Sequence, residues 1–200
     1  VDAPPEYEDS ASFIAIAQLL KENGINVPIV HAADLERGFM LLSDLGDDLY
    51  FDVLQLDGFG ERVVDLYADA FAALVELSQI PAPSVPAYSS SKLIEEMGLF
   101  RDWFVEKQLK IELSPAENDM LDALFERLVA SAEQQPQVFV HRDYHCRNLM
   151  VEASHNPGVI DFQDAVIGPI TYDLVSLLKD CYWRFPREQV ESWVESHRLA

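Results

Sequence analysis

Residues 141–164 read HRDYHCRNLMVEASHNPGVIDFQD. Just before them, Val138, Phe139 and Val140 form a short strand-like run that delivers the chain into a polar loop over 141–148. Two further apolar runs, LMVE and GVI, flank ASHNP, and Asn156-Pro157-Gly158 is strong turn chemistry, so the runs are expected to pair as a hairpin. With Val151 opposite Gly158, the register sets Asn148 opposite Asp161 at the open end, with Cα atoms about 5 Å apart. An amide oxygen beside a carboxylate, with Asp143 a few residues upstream, is hard-oxygen chemistry suited to magnesium. That ion binds through one or two carboxylates plus the phosphates of a substrate. The spacing HxDxxxxN, followed by an Asp after a hairpin, is the layout of a phosphoryl-transfer site. In that layout Asp143 accepts the proton of the attacking hydroxyl, while Asn148 and Asp161 hold the metal against nucleotide phosphates.

The neighbours have plainer readings. His141 is expected to hold the turn, its ring bonded to the backbone. A zinc site built on His141, His145 and Cys146 lacks a fourth ligand and mixes hard with soft donors. Arg142 beside Asp143 reads as a local ion pair, under about 1 kcal/mol if exposed. Trp103, Trp183 and Trp193 sit at helical spacings among apolar neighbours and are expected to pack in the core or along a groove wall.

Working outward, Phe13, Ile16, Ala17 and Leu20 form one stripe of a helix over 12–23, and Gly24 follows where a left-handed cap belongs. VPIVHA and GFMLL, separated by the polar turn ADLER, read as antiparallel strands. They lead to Ser43-Asp44-Leu45-Gly46, which has the polarity and backbone freedom of a connector between two lobes. Apolar residues recur at helical spacing over 60–79 until IPAPSVP stops the helix with Pro81, Pro83 and Pro86. A further helix is expected over 91–107. SPAE at 114–117 is a capping box that opens another, running to about 132. TYDLVSLLKDCYW reads as one more helix, and Pro186 starts the last. At the other end, Val1 stands abruptly before Pro4-Pro5, as a cut strand would.

HRDYHCRN and VIDFQD resemble the catalytic loop and metal-binding segment of the aminoglycoside phosphotransferase family, the protein-kinase-like small-molecule kinases. Within it, HRDYHCRNLMV and GVIDFQDAVIGPITYDLVSLLKD are most similar to the bacterial kinases that phosphorylate the anomeric hydroxyl of N-acetylmuramate and N-acetylglucosamine in cell-wall recycling. The resemblance implies an α+β, protein-kinase-like two-lobed fold. Residues 1–46 would be a truncated N-terminal sheet lobe plus hinge, and 47–200 a mainly helical C-terminal lobe carrying the catalytic loop and metal hairpin. It implies ATP and Mg2+ as cofactors and a small-molecule hydroxyl as acceptor. Asp143 matches the family's catalytic Asp, Asn148 and Asp161 its metal ligands, and Asp173 an acidic position that braces the catalytic loop. LLSDLG at 41–46 is similar to the hinge, where the Ser43 carbonyl and the Leu45 N–H would receive the adenine edge. His145 and Arg147 lie in the loop facing the acceptor and would orient the sugar or its carboxylate. Such kinases also carry a phosphate-covering loop and a strand Lys paired to a helix Glu, and the helix at 12–23 offers only Glu22. The chain is therefore expected to lack the first strands of its small lobe and to bind nucleotide poorly as it stands. Two other readings stay open: a kinase of aminoglycosides or other amines, and a nucleotide-binding or interaction module without catalysis.

Bulk composition agrees with a folded chain. Of 200 residues 49% are apolar, enough for one substantial core. The 14 Lys and Arg against 35 Asp and Glu leave a net charge of −21, which repels nucleic acid and anionic membrane surfaces. The same charge would steer a cationic substrate or simply solvate the surface. Two cysteines, Cys146 and Cys181, exclude a disulfide framework and fit a reducing compartment, with the cytoplasm as the expected location. No run approaches the roughly 20 apolar residues of a membrane span.

Overall fold

The computed structural model describes residues 1–3, 9–81 and 84–199. Pro4, Pro5 and Pro83 lie outside the described residues. The first helix, α1 (Ser10–Glu22), is capped by the Asp9 carboxylate, which accepts from Ser12 N–H at 3.1 Å, and it buries Ile16, Ala17 and Leu20. The chain leaves α1 through Gly24 at φ +86°, the left-handed conformation expected there. Strands β1 (Val30–Asp34) and β2 (Phe39–Leu42) pair antiparallel, with Gly38 at φ +73° in the turn between them. Residues 1–3 run along the other edge of β2. Asp2 bridges to Phe39, and Met40 N–H donates to the Val1 carbonyl at 3.1 Å.

After the connector come α2 (Tyr50–Asp57), α3 (Glu61–Ser78), α4 (Ser90–Leu99), a π-helical continuation over Phe100–Gln108, and α5 (Pro115–Glu133). The capping box at Ser114 is formed, with Ser114 N–H donating to Glu117 at 2.8 Å. The sequence reading missed α2, which buries Tyr50, Val53 and Leu54, and took 91–107 as one α-helix. Past Gly98 the hydrogen bonds instead lengthen to the π pattern, as in Leu109 N–H to the Phe104 carbonyl at 3.0 Å.

Strand β3 (Gln137–Val140) pairs antiparallel with β6 (Val166–Pro169), and β4 (Leu149–Met150) pairs with β5 (Gly158–Val159). Helix α6 (Tyr172–Leu178) is shorter than expected. The Asp180 side chain accepts from the N–H groups of Tyr182 and Trp183 at 2.9 and 2.8 Å, a local turn that competes with further helix. The chain closes with α7 (Arg187–Leu199).

One apolar core runs from Ile16 and Leu20 of α1, through Val63, Tyr67 and Leu77 of α3, to Phe162 and to Val190 and Trp193 of α7. It continues across the connector at 43–46. Phe13 stacks on Phe162 with ring centroids 4.9 Å apart, joining α1 to the segment that carries Asp161. Trp193 stacks on Tyr67 at 5.0 Å, as a core tryptophan should, whereas Trp103 is 59% exposed beneath the Lys107 ammonium. Among the described residues, no helix is long and apolar enough to cross a membrane.

Candidate active site

Strand β3 ends at Val140, and the next two residues turn inward around Asp173. The N–H groups of His141 and Arg142 donate to the two carboxylate oxygens of Asp173 at 2.6 and 3.0 Å, with Arg142 at φ +78°. Asp173 is 4% exposed, and burial pushes its pKa up to about 7 against the pull of those two donors. His141 is fully buried. Its Nε2 lies 3.0 Å from the Ile160 carbonyl and its Nδ1 accepts from Asp143 N–H at 3.2 Å, which fits the neutral tautomer protonated on Nε2. Burial pushes its pKa down to about 4. The imidazole thus ties the 141–148 loop to the segment that leads to Asp161.

The loop is then closed on itself. His145 N–H donates to the Asp143 carbonyl at 3.0 Å, Asn148 N–H to the His145 carbonyl at 2.9 Å, and Tyr144 hydroxyl to the Ala70 carbonyl of α3 at 2.9 Å. Against this frame the Asp143 carboxylate stays exposed, and among the described residues no side chain or N–H donates to it. Its pKa is raised above the ordinary carboxylate value, first by partial burial and then by the nearby Asp161 charge, with His145 acting the other way.

The hairpin differs from expectation by one residue. Met150 faces Gly158 and Leu149 faces Val159, so Asn148 falls opposite Ile160, whose N–H donates to the Asn148 carbonyl at 3.1 Å. The cause is non-local: Val151 N–H is taken by the Asp48 carbonyl at 2.8 Å, and Val159 N–H by the Asn26 carbonyl at 2.7 Å. The two side chains nevertheless meet. Asp161 adopts φ +65°, a left-handed conformation that Asp tolerates, and Asn148 Nδ2 donates to Asp161 Oδ2 at 3.2 Å and to the Asp143 carbonyl at 2.9 Å. With both amide hydrogens used, Asn148 keeps its oxygen uncommitted. Asp161 Oδ1 accepts from Gln163 Nε2 at 2.8 Å, which orients the carboxylate and leaves lone pairs on both oxygens. An all-oxygen donor set of this kind fits magnesium.

Asp143 and His145 line an open cavity of about 640 Å³ together with Arg142, Tyr172, Lys179 and Tyr182, a volume within the range of small-molecule sites. His145 meets the Tyr182 ring edge-on at 5.2 Å. Arg147 is not in the lining. Its guanidinium lies over the rings of Tyr182 and Phe51, at 4.8 and 5.7 Å. Arg142 pairs with Glu96 of α4 at 2.6 Å rather than with Asp143, a partner 46 residues away that no local pattern announces. Gln163 was also missed, although it sits two residues after Asp161 in the quoted motif. Cys146 is buried, and burial pushes its thiol up, away from reactivity. In the connector, Ser43 N–H donates to the Ile29 carbonyl at 2.9 Å and Gly46 N–H to Asp44 at 2.9 Å. Among the described residues neither the Ser43 carbonyl nor the Leu45 N–H has a backbone partner.

The model of the phosphotransferase enzyme family matches residues 1–199. The chain is 42% identical over 195 residues to an N-acetylmuramate/N-acetylglucosamine kinase of Pseudomonas putida, covering 97% of this chain and 56% of that protein. It is 37% identical over 191 residues to the same-named kinase of Neisseria meningitidis, covering 95% and 56%. The chain thus spans little more than half the length of these relatives. In fold it resembles an ADP-bound aminoglycoside phosphotransferase, at a TM-score of 0.66 and 18% identity over 94% of this chain and 66% of that one. It also resembles a choline/ethanolamine kinase family protein from Mesorhizobium loti, at 0.67 and 16% over 97% and 61%. Those two likenesses make the architecture protein-kinase-like, and together with the family model and the curated relatives they lead to one conclusion: the chain belongs to the phosphotransferase enzyme family.

Proposed function

We propose that this protein is an ATP- and magnesium-dependent kinase that phosphorylates the anomeric hydroxyl of an N-acetylated amino sugar, N-acetylmuramate or N-acetylglucosamine. The observation that carries the reading is a single constellation. Asp143, whose carboxylate has no donor among the described residues, lines an open cavity, and its carbonyl is one hydrogen bond from an Asn148–Asp161 pair with oxygen lone pairs free for a metal. The names of relatives at 42% and 37% identity supply the sugar.

In this reading Asp143 accepts the proton of the acceptor hydroxyl as that oxygen attacks the γ-phosphorus in line. Its raised pKa makes it a better base than an ordinary Asp. Asn148 Oδ1 and the Asp161 carboxylate would hold magnesium, which neutralises charge on the nucleotide phosphates when bound. The Ser43 carbonyl and Leu45 N–H, without backbone partners among the described residues, are assigned the adenine edge. His145, in the cavity wall, is assigned to orient the sugar; Arg147, not in the lining, is assigned to support that wall through its contact with the Tyr182 ring. Asp173 and His141 act only through the loop they brace. The cytoplasm is assigned as the location, because ATP is available there and free thiols such as Cys146 and Cys181 stay reduced.

The test is phosphate transfer by the full-length protein to N-acetylmuramate, N-acetylglucosamine and a set of aminoglycosides, with and without Asp143→Asn. Turnover of the N-acetylated sugars is expected, falling at least about 100-fold in the variant while nucleotide affinity holds. Unchanged turnover in Asp143→Asn removes it as the base. Turnover of aminoglycosides alone moves the substrate class.

A further inference from the structure

Lys179 caps the C-terminal end of α6, held by its own N–H to the Val175 carbonyl at 2.9 Å, and is among the residues that line the cavity containing Asp143. Among the described residues no other group pairs with it. Arg142, the other full positive charge in the lining, is committed to Glu96 at 2.6 Å and lies over the Tyr88 ring at 5.4 Å. On its other side Lys179 borders a groove lined by Glu191 and Glu195 of α7, but Arg187 holds Glu191 at 2.6 Å and Arg198 holds Glu195 at 2.7 Å. The adjacent Asp180 turns one carboxylate oxygen to the backbone of Tyr182 and Trp183. Among the described residues Lys179 forms no ion pair, in a chain where acidic residues outnumber basic ones 35 to 14. A lysine without an ion-pair partner in the cavity lining of so acidic a protein is suited to receive an anion that arrives with the substrate.

The two sugars of the proposed function differ by one such group: N-acetylmuramate carries a lactyl ether ending in a carboxylate where N-acetylglucosamine carries a hydroxyl. We propose that Lys179 is a specificity residue that pairs with the lactyl carboxylate of N-acetylmuramate while the anomeric hydroxyl lies at Asp143. This rests on the functional reading above and adds the chemistry that separates its two substrates. Arg147 is the less suitable partner, because it is not among the lining residues and its guanidinium lies over the rings of Tyr182 and Phe51.

The experiment measures kcat and KM of the full-length protein for both sugars, in wild type, Lys179→Gln and Lys179→Arg, at low and high salt. Lys179→Gln is expected to raise KM for N-acetylmuramate roughly five- to tenfold and to leave N-acetylglucosamine within about twofold. Lys179→Arg restores most of the loss. Added salt raises the wild-type KM for N-acetylmuramate alone, and this sensitivity disappears in Lys179→Gln. Equal changes for both sugars would mean a structural role and overturn the proposal, as would no change for either. Those failures leave turnover of both sugars by wild type intact. A wild-type protein that phosphorylates neither sugar overturns the functional reading, and this assignment with it.

Discussion

Acidification separates two buried groups whose protonation acts on stability with opposite signs. His141 is wholly buried, with its pKa pushed down to about 4 from an ordinary 6.5; Asp173 is 4% exposed, pushed up to about 7 from 3.8. Stability follows the difference between protons bound by the unfolded and the folded chain. Below pH 6.5 the unfolded chain protonates His141 and the folded chain does not, so this contribution is fully present above 6.5 and is lost as pH falls toward 4. Asp173 runs the other way. Between 3.8 and 7 the folded chain holds a proton that the unfolded chain has released, so its contribution is fully present below 3.8 and is lost as pH rises toward 7. Each group moves stability by about 1.4 kcal/mol per pH unit, hence about 2 kcal/mol between about pH 4.5 and about pH 6, and in the wild type the two nearly cancel. Removing either exposes the other. On going from about pH 6 to about pH 4.5, Asp173→Asn should lose about 2 kcal/mol more than wild type, and His141→Gln should lose about 2 kcal/mol less. Urea unfolding followed by circular dichroism in metal-free buffer gives both slopes, independent of the fixed cost of each substitution. If the stability curves of both variants run parallel to that of the wild type across this window, the burial account of the two pKa shifts is wrong.

Two further outcomes bear on the site itself. Asp161→Ala removes one proposed oxygen ligand and a hydrogen-bond partner of Asn148, so magnesium-dependent nucleotide binding should fall at least about tenfold by isothermal titration; an unaltered metal titration would remove Asp161 from the proposed ligand set. His145→Gln deletes a group that holds the Asp143 pKa down. The acid limb of kcat/KM should then move to higher pH, since the base loses activity as it protonates and the variant makes protonation easier. A limb that stays in place or moves to lower pH would show that another group sets it.

The candidate site was legible in sequence because its residues are local. Asp143, Asn148 and Asp161 lie within one loop and one hairpin, and residue types alone announce hard-oxygen coordination. What local reading could not supply was any partner brought from a distance. The pairing of β3 with β6 joins Val140 to Val166 across the whole hairpin, and Glu96 reaches the loop residue Arg142 from α4. Helix α2 is short, and its signal is one buried stripe of Tyr50, Val53 and Leu54 after a run of acidic residues. The hairpin register shows the same limit inside the motif. Turn chemistry put Val151 opposite Gly158, but Asp48 and Asn26 claim the Val151 and Val159 N–H groups, and the pairing slides by one. In a regular ribbon that slip would send Asp161 to the opposite face from Asn148. The left-handed backbone at Asp161 reverses the consequence, and Gln163 holds the carboxylate in its new direction. The candidate pair is thus kept by a conformation available to Asp and strained for most other side chains, so the residue type at 161 answers to backbone geometry as well as to the proposed metal chemistry.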